Sequence, residues 1–362
     1  MEIRGFELSS RSLTPTIILP VALLLMSVAL MAAPPQYRRW QSALLRLGSR
    51  KKFESSEIVA LRVYPIKSCR GISIKKATLQ MHGLDLDRQW MFVKAETHEF
   101  ITIRQIPQMT LINTALSDDG QHLLLSIAGD PDKGNLIRIP AYPSQEWLRD
   151  NTTLAPVKIW DTDTDGYLYG PEVNDIFSRF LEQDVKLVYK GPTPRILQGN
   201  GAPTVLGRTQ STYFPDVLPV LIASESSLAE LNSRLAQKGE APITIERFRP
   251  NIIVKGNVPW SEDSWHVVRL SAPENQARQP LDVDIVARCA RCQVPNVEPS
   301  TAHKHKTEPW KTLMSYRRID KGITFKPCFG MLSVPRTEGD IEVGMRLEVM
   351  AETNQHRYVT GF

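Results

Sequence analysis

Residues 58–66 read IVALRVYPI, β-branched and apolar residues closed by a proline, which is the pattern of a strand running into a turn. The same grammar recurs on either side. QWMFVK at 89–94 and FITIR at 100–104 are predicted strands, and the runs 111–115 and 123–127 flank Ser117-Asp118-Asp119-Gly120, which predicts a hairpin. Further strands are expected at 251–255, 266–270, 283–287, 341–343 and 346–350. Two segments carry helical spacing instead. Val173, Ile176, Phe177, Phe180 and Leu181 follow Pro171, and Leu228, Leu231 and Leu235 follow a capping Ser224 and precede Gly239. Residues 191–216, rich in Gly, Pro, Ser and Thr, read as a junction or a long functional loop. There is no internal repeat and no strand–helix alternation of the doubly wound kind, so the expected fold class is α+β, predominantly β.

The chain has 362 residues, 42% hydrophobic and 23% charged, enough for two domains, and its four cysteines are too few for a disulfide scaffold. Its net charge of +5 is unevenly placed. Residues 1–52 hold eight Lys/Arg against two Glu, so the rest of the chain is close to neutral. A neutral body argues against nucleic acid as a partner, since that needs a basic face to displace counterions. Within the leader, residues 1–12 form a tail, and 13–33 (LTPTIILPVALLLMSVALMAA) are apolar over a membrane-spanning length. Residues 34–54 form a basic juxtamembrane linker. The positive charge downstream of the apolar run is the reverse of a cleaved signal peptide and directs the body to the cytosol, at the outer mitochondrial or endoplasmic reticulum membrane.

Cys289-Ala290-Arg291-Cys292 is the most informative local pattern. Four readings stay open on the residues alone: part of a zinc site completed by Cys69, Cys328, His303 or His305, a redox pair, two buried small residues, or a thiolate for a soft metal with Arg291 beside it. His303 and His305 lie among Lys304, Lys306 and Lys311, which reads as a solvated loop or as a patch for an acidic electron-transfer partner.

Tyr64-Pro65-Ile66-Lys67-Ser68-Cys69, Asp87-Arg88-Gln89-Trp90 and Arg247-Phe248-Arg249-Pro250-Asn251, ahead of the CARC stretch, together resemble the MOSC molybdenum-cofactor domain and its N-terminal β-barrel partner, as joined in the amidoxime reducing components. The segment 224–235 (SESSLAELNSRL) adds to the likeness, which spans about 56–349. The resemblance implies a β-barrel-like N-terminal domain at 55–190 and a MOSC β-barrel domain at 217–362, with a molybdenum–molybdopterin cofactor between them. It implies cofactor binding by Lys67, Ser68, Arg88, Arg249, Asn251 and Arg291, and Cys292 as the catalytic residue and metal ligand, leaving Cys289 to packing. An anionic pterin phosphate needs charge-assisted donors of this kind. Two positions depart from the animal pattern: Ala290, where a serine is expected, and Leu332, where a tyrosine is expected.

The implied activity is reduction of N-hydroxylated compounds (amidoximes, hydroxylamines, N-oxides). The sequence holds no iron–sulfur cysteine set and no GxGxxG fingerprint, so electrons would come from cytochrome b5 and its NADH-dependent reductase. Two other readings remain: a molybdenum-cofactor sulfur carrier, although 362 residues leave no room for a pyridoxal-phosphate domain, and a tethered scaffold with a structural CxxC.

Overall fold

The computed structural model describes residues 54–130, 135–273, 276 and 278–360. The predicted anchor at 13–33 and the linker up to residue 53 lie outside the described residues. Among the described residues no helix is long and apolar enough to cross a membrane. Residues from Glu54 onward form one compact unit.

In chain order the first half runs β1 (Ser55–Val63), β2 (Ile72–Ile74), β3 (Lys76–Gln80), β4 (Gly83–Leu84), β5 (Trp90–Lys94), β6 (Ile112–Leu116), β7 (His122–Ile127), β8 (Ile137–Pro140), α1 (Gln145–Asn151), β9 (Thr152–Ile159), β10 (Thr162–Tyr169), α2 (Pro171–Leu181) and β11 (Val185–Lys190). After it come β12 (Arg195–Ile196), α3 (Pro203–Leu206), β13 (Ser211–Thr212), β14 (Val220–Ser224), α4 (Glu225–Ala236), β15 (Ile252–Val254), β16 (Trp265–Ser271), β17 (Leu281–Ala290), α5 (Trp310–Tyr316), β18 (Cys328–Pro335), β19 (Gly339–Glu342) and β20 (Arg346–Glu352). The protein is predominantly β, as expected.

Seven strands close a barrel in the order β15-β14-β18-β17-β16-β20-β1, with β1 pairing back to β15. An odd number of strands cannot close with antiparallel neighbours alone. The mismatch falls at β14 and β15, which run parallel and are joined through α4. This single βαβ unit was not visible in the sequence. The barrel interior holds Ile58, Leu61, Val63, Ile222, Val254, Trp265, Val283 and Leu347, all almost fully buried. β1 comes from the first half of the sequence, yet it is a stave of the barrel built by the second.

A second core lies between the sheet β5-β11-β10-β9, the sheet β6-β7-β8 and α2. The ring of Phe177 on α2 meets Phe92 on β5 edge-on at 5.2 Å. The buried Asn174 side chain fixes α2 to the sheet, donating to Tyr169 O at 2.6 Å and accepting from Leu187 N at 2.9 Å. The hairpin pairs Ile112 with Ile127 and Leu116 with Leu123, as its turn residues predict. α2 opens on Pro171, and Ser224 caps α4 by accepting from Ser227 N. Residues 100–104 are not a strand. Phe100 makes one isolated bridge, then the Gln105 side chain accepts from Thr102 N at 2.9 Å and turns the chain.

Candidate functional site

A cavity of about 260 Å³ is lined by all seven residues singled out in the sequence: Lys67, Ser68, Arg88, Arg249, Asn251, Arg291 and Cys292. They come from four separate segments. Lys67 and Ser68 follow β1, Arg88 precedes β5, Arg249 and Asn251 lead into β15, and Arg291 and Cys292 leave the end of β17. The turns are tight. Nine described non-glycine residues have positive φ, and four of them, Ser68, Arg88, Trp160 and Arg249, line this cavity. Each such conformation costs on the order of 1 kcal/mol, which the surrounding hydrogen bonds must hold in place.

The cavity is rich in cations. Lys67, Arg88, Arg104, Arg249, Arg291 and Lys326 line it, and among the described lining residues Asp216 is the sole acid. Lys67 is buried, donates to Phe214 O at 2.9 Å and pairs with Asp216. Burial pushes its ammonium down to about 8, against the pull of Asp216. Arg88 pairs with Asp87 at 2.5 Å and donates to Asn251 Oδ1 and Arg249 O, each at 3.1 Å. Arg249 donates to Cys69 O at 2.7 Å, and its guanidinium and that of Arg88 flank the Tyr64 ring, 4.1 and 4.7 Å from its centroid. Burial, together with the charge of Arg88, pushes Arg249 down to about 10. Its Nη2 is buried with no hydrogen-bond partner among the described residues, a donor still owed an acceptor.

Asn251 and Arg291 are bound into the protein as well. The Asn251 side chain accepts from Arg88 and from Leu221 N at 3.1 Å and donates to Arg62 O at 3.2 Å. Arg291 donates twice to Phe329 O and once to Phe248 O, at 2.7–2.9 Å. It thereby clamps the stacked rings of Phe248 and Phe329, whose centroids are 3.8 Å apart. Its charge meets only carbonyl dipoles there, so it still adds positive potential beside Cys289 and Cys292.

Arg104, Asp216 and Tyr358 are among the lining residues that escaped the sequence reading. Arg104, from the turn read as strand, lies 3.7 Å from Cys292 Sγ and 3.6 Å from Asp216 Oδ2, over the Trp160 ring at 4.5 Å. Asp216 sits at the end of the 191–216 loop and accepts from Lys67 and from Trp160 Nε1 at 3.2 Å. Burial opposes its ionisation, yet Lys67 and Arg104 hold its carboxyl well below the usual carboxylate range. Arg195 fixes that loop by donating to Pro215 O at 2.6 Å and Asp216 O at 3.1 Å. Lone charged residues without a motif give no signal in a single sequence, and only the fold brings these together. Among the described residues no group of three or more His, Cys, Asp or Glu could hold a metal, so the zinc alternative finds no ligand set there.

The family model for the MOSC N-terminal beta barrel domain matches residues 55–184, and that for the MOSC domain matches 209–348. Mitochondrial amidoxime reducing component 2 of Bos taurus is 31% identical over 315 residues, covering 84% of this chain and 86% of its own length. The chain belongs to the MOSC family of the amidoxime reducing components. Mitochondrial amidoxime-reducing component 1 of Homo sapiens is 30% identical over 335 residues, covering 90% of this chain and 91% of its own length. Molybdenum cofactor sulfurase of Arabidopsis thaliana is 30% identical over 293 residues, which are 77% of this chain and 33% of that protein. The cavity of this MOSC protein draws Lys67, Arg88, Arg104 and Trp160 from the stretch matched by the first model, and Arg249, Arg291 and Cys292 from that matched by the second.

Proposed function

We propose that this chain is a molybdenum-cofactor oxidoreductase that reduces N-hydroxylated compounds. The observation that carries the reading is the cavity itself: two cysteines, Cys289 and Cys292, at a wall of six cations, with Arg249 Nη2 buried and without a partner among the described residues. That donor set fits an anionic pterin phosphate. Lys67, Arg88 and Arg249 are the residues to hold it, with Ser68 beside them. Asn251 keeps Arg88 in place, and Arg291, next in sequence to Cys292, is anchored on the carbonyls of Phe248 and Phe329. Cys292 is the side chain available as metal ligand, with Arg104 alongside to offset thiolate charge. When bound, the cofactor supplies two-electron oxygen-atom transfer; the chain's own groups bind, orient and set the charge of the site.

In this reading the electrons come from cytochrome b5 and its NADH-dependent reductase. Residues 13–33 hold the protein to the outer mitochondrial membrane with residues 55–190 and 217–362 on the cytosolic side. The apolar run and the word mitochondrial in the relatives' names support that location.

A sulfur-carrier reading has one observation in its favour, the likeness to a third of a molybdenum cofactor sulfurase. The test is elemental and pterin analysis of the full chain made in a host competent in molybdopterin synthesis, beside Cys292→Ala. Near-stoichiometric molybdenum and pterin, with benzamidoxime reduction lost in the variant, is the expected result. Cyanide-releasable sulfur on Cys292 without pterin would favour the sulfur carrier, and zinc or no metal would leave a scaffold.

A further inference from the structure

The MOSC match ends at residue 348, but the cavity does not. Beyond β20 the chain runs on without regular secondary structure through residues 353–360, and this segment is pinned along its length. Thr353 N donates to Ser264 O at 2.7 Å, and His356 Nε2 lies 2.6 Å from Trp265 O. Arg288 donates to His356 O at 3.0 Å, and Asn200 both donates to Arg357 O at 2.9 Å and accepts from Val359 N at 2.7 Å. Tyr358 N donates to the buried Asp320 carboxylate at 2.8 Å. Gly322 packs so closely on Tyr358 O that a Cβ there would stand 1.9 Å away.

A segment held at six points, from four other parts of the fold, is a strap with a fixed position. What it fixes is Tyr358, which is 7% exposed and lines the cavity. The ring packs in one apolar cluster with Leu221 and Leu332, against Cys289 and Ala290. No hydrogen bond among the described residues uses its hydroxyl, and that oxygen is not one of the sealed, partnerless atoms of the interior, so it is open to a group bound in the cavity. Burial first, with the negative charge of Asp216 nearby, holds that hydroxyl in its neutral, donating form.

We propose that the C-terminal strap is part of the site, and that the Tyr358 hydroxyl donates a hydrogen bond to an oxygen of the group bound in the cavity. The proposal rests on the cofactor reading for the identity of that group, and two sources of the oxygen are open: the cofactor or an N–O substrate. Tyr358→Phe removes the hydroxyl and keeps the packing. It is compared with the wild-type full chain for molybdenum and pterin content, for kcat and KM with benzamidoxime, and, after cofactor removal, for tungstate affinity by calorimetry.

A fall in cofactor content of about threefold or more assigns the oxygen to the cofactor. Full content with KM raised about tenfold assigns it to the substrate. Content, kinetic constants and tungstate affinity all within twofold of wild type overturn the proposal. Asn200→Ser, which loosens the strap, is expected to shift the same quantity in the same direction by less. Wild-type protein that binds tungstate but carries no pterin defeats the cofactor reading alone. Tyr358→Phe then still decides this proposal through a tungstate affinity lowered tenfold or unchanged. A wild type that binds neither defeats both.

Discussion

Among single residues, Lys67 has the most directly testable electrostatics. Its ammonium, pushed down to about 8 by burial, is charged and able to hold an anion below that pH and loses its proton above it. Tungstate affinity of the cofactor-free chain is therefore expected to fall as pH rises through about 8, and Lys67→Met to remove that inflection. Glu262 presents the opposite case away from the cavity. It is 1% exposed, accepts from Ser227 Oγ at 2.7 Å and leaves Oε2 without a partner among the described residues, and burial raises its carboxyl to about 7. A folded-state value above the unfolded one means stability is present below about 4.5 and is lost as pH rises to about 7. The loss is on the order of 3 kcal/mol, and Glu262→Gln should flatten it in denaturation curves taken across pH 4.5–7. At the two cysteines, Cys292→Ala is expected to abolish molybdenum retention and Cys289→Ala to spare it; the reverse result in elemental analysis would exchange their roles.

Among the elements, β18 shows how closely the barrel staves approach. Gly330 has φ +74°, and a Cβ there would stand 2.8 Å from Ile222 O on β14. Gly330→Ala is expected to cost roughly 2–4 kcal/mol in chemical denaturation, since both the conformation and the contact oppose a side chain. The elements that the sequence revealed are those with punctuation of their own: the 117–120 turn, Pro171 at the start of α2, Ser224 at the start of α4. β9 and β10 were missed because Pro156 interrupts one and Thr162, Asp163, Thr164 and Asp165 make the other polar, although they pair over eight residues. β18 was missed for the opposite reason: all eight residues are buried, so it has no alternation to read. The site was legible where YPIKSC, RFRPN and CARC recur together, and illegible where Arg104, Asp216 and Tyr358 arrive from turns and a strap whose placement is a property of the fold.

For the whole molecule, the position of β1 decides what can stand alone. A fragment matching the MOSC model, residues 209–348, lacks the stave that pairs with both β15 and β20. It exposes two strand edges and the apolar interior beneath them. Such a fragment is expected to be aggregated or unfolded by circular dichroism and gel filtration, whereas 54–362 folds; a monomeric, cooperatively melting 209–348 would refute that. The same stave has a consequence in time. Ser55 pairs with Glu348, so the first of the described strands waits for the last of them. At about 5–20 residues per second on the ribosome that interval is roughly 15–60 s. Throughout it, the apolar face of β1 and its unpaired amides are open to chaperones and to other nascent chains, so the yield of this protein is set by what shelters one nine-residue strand until synthesis ends.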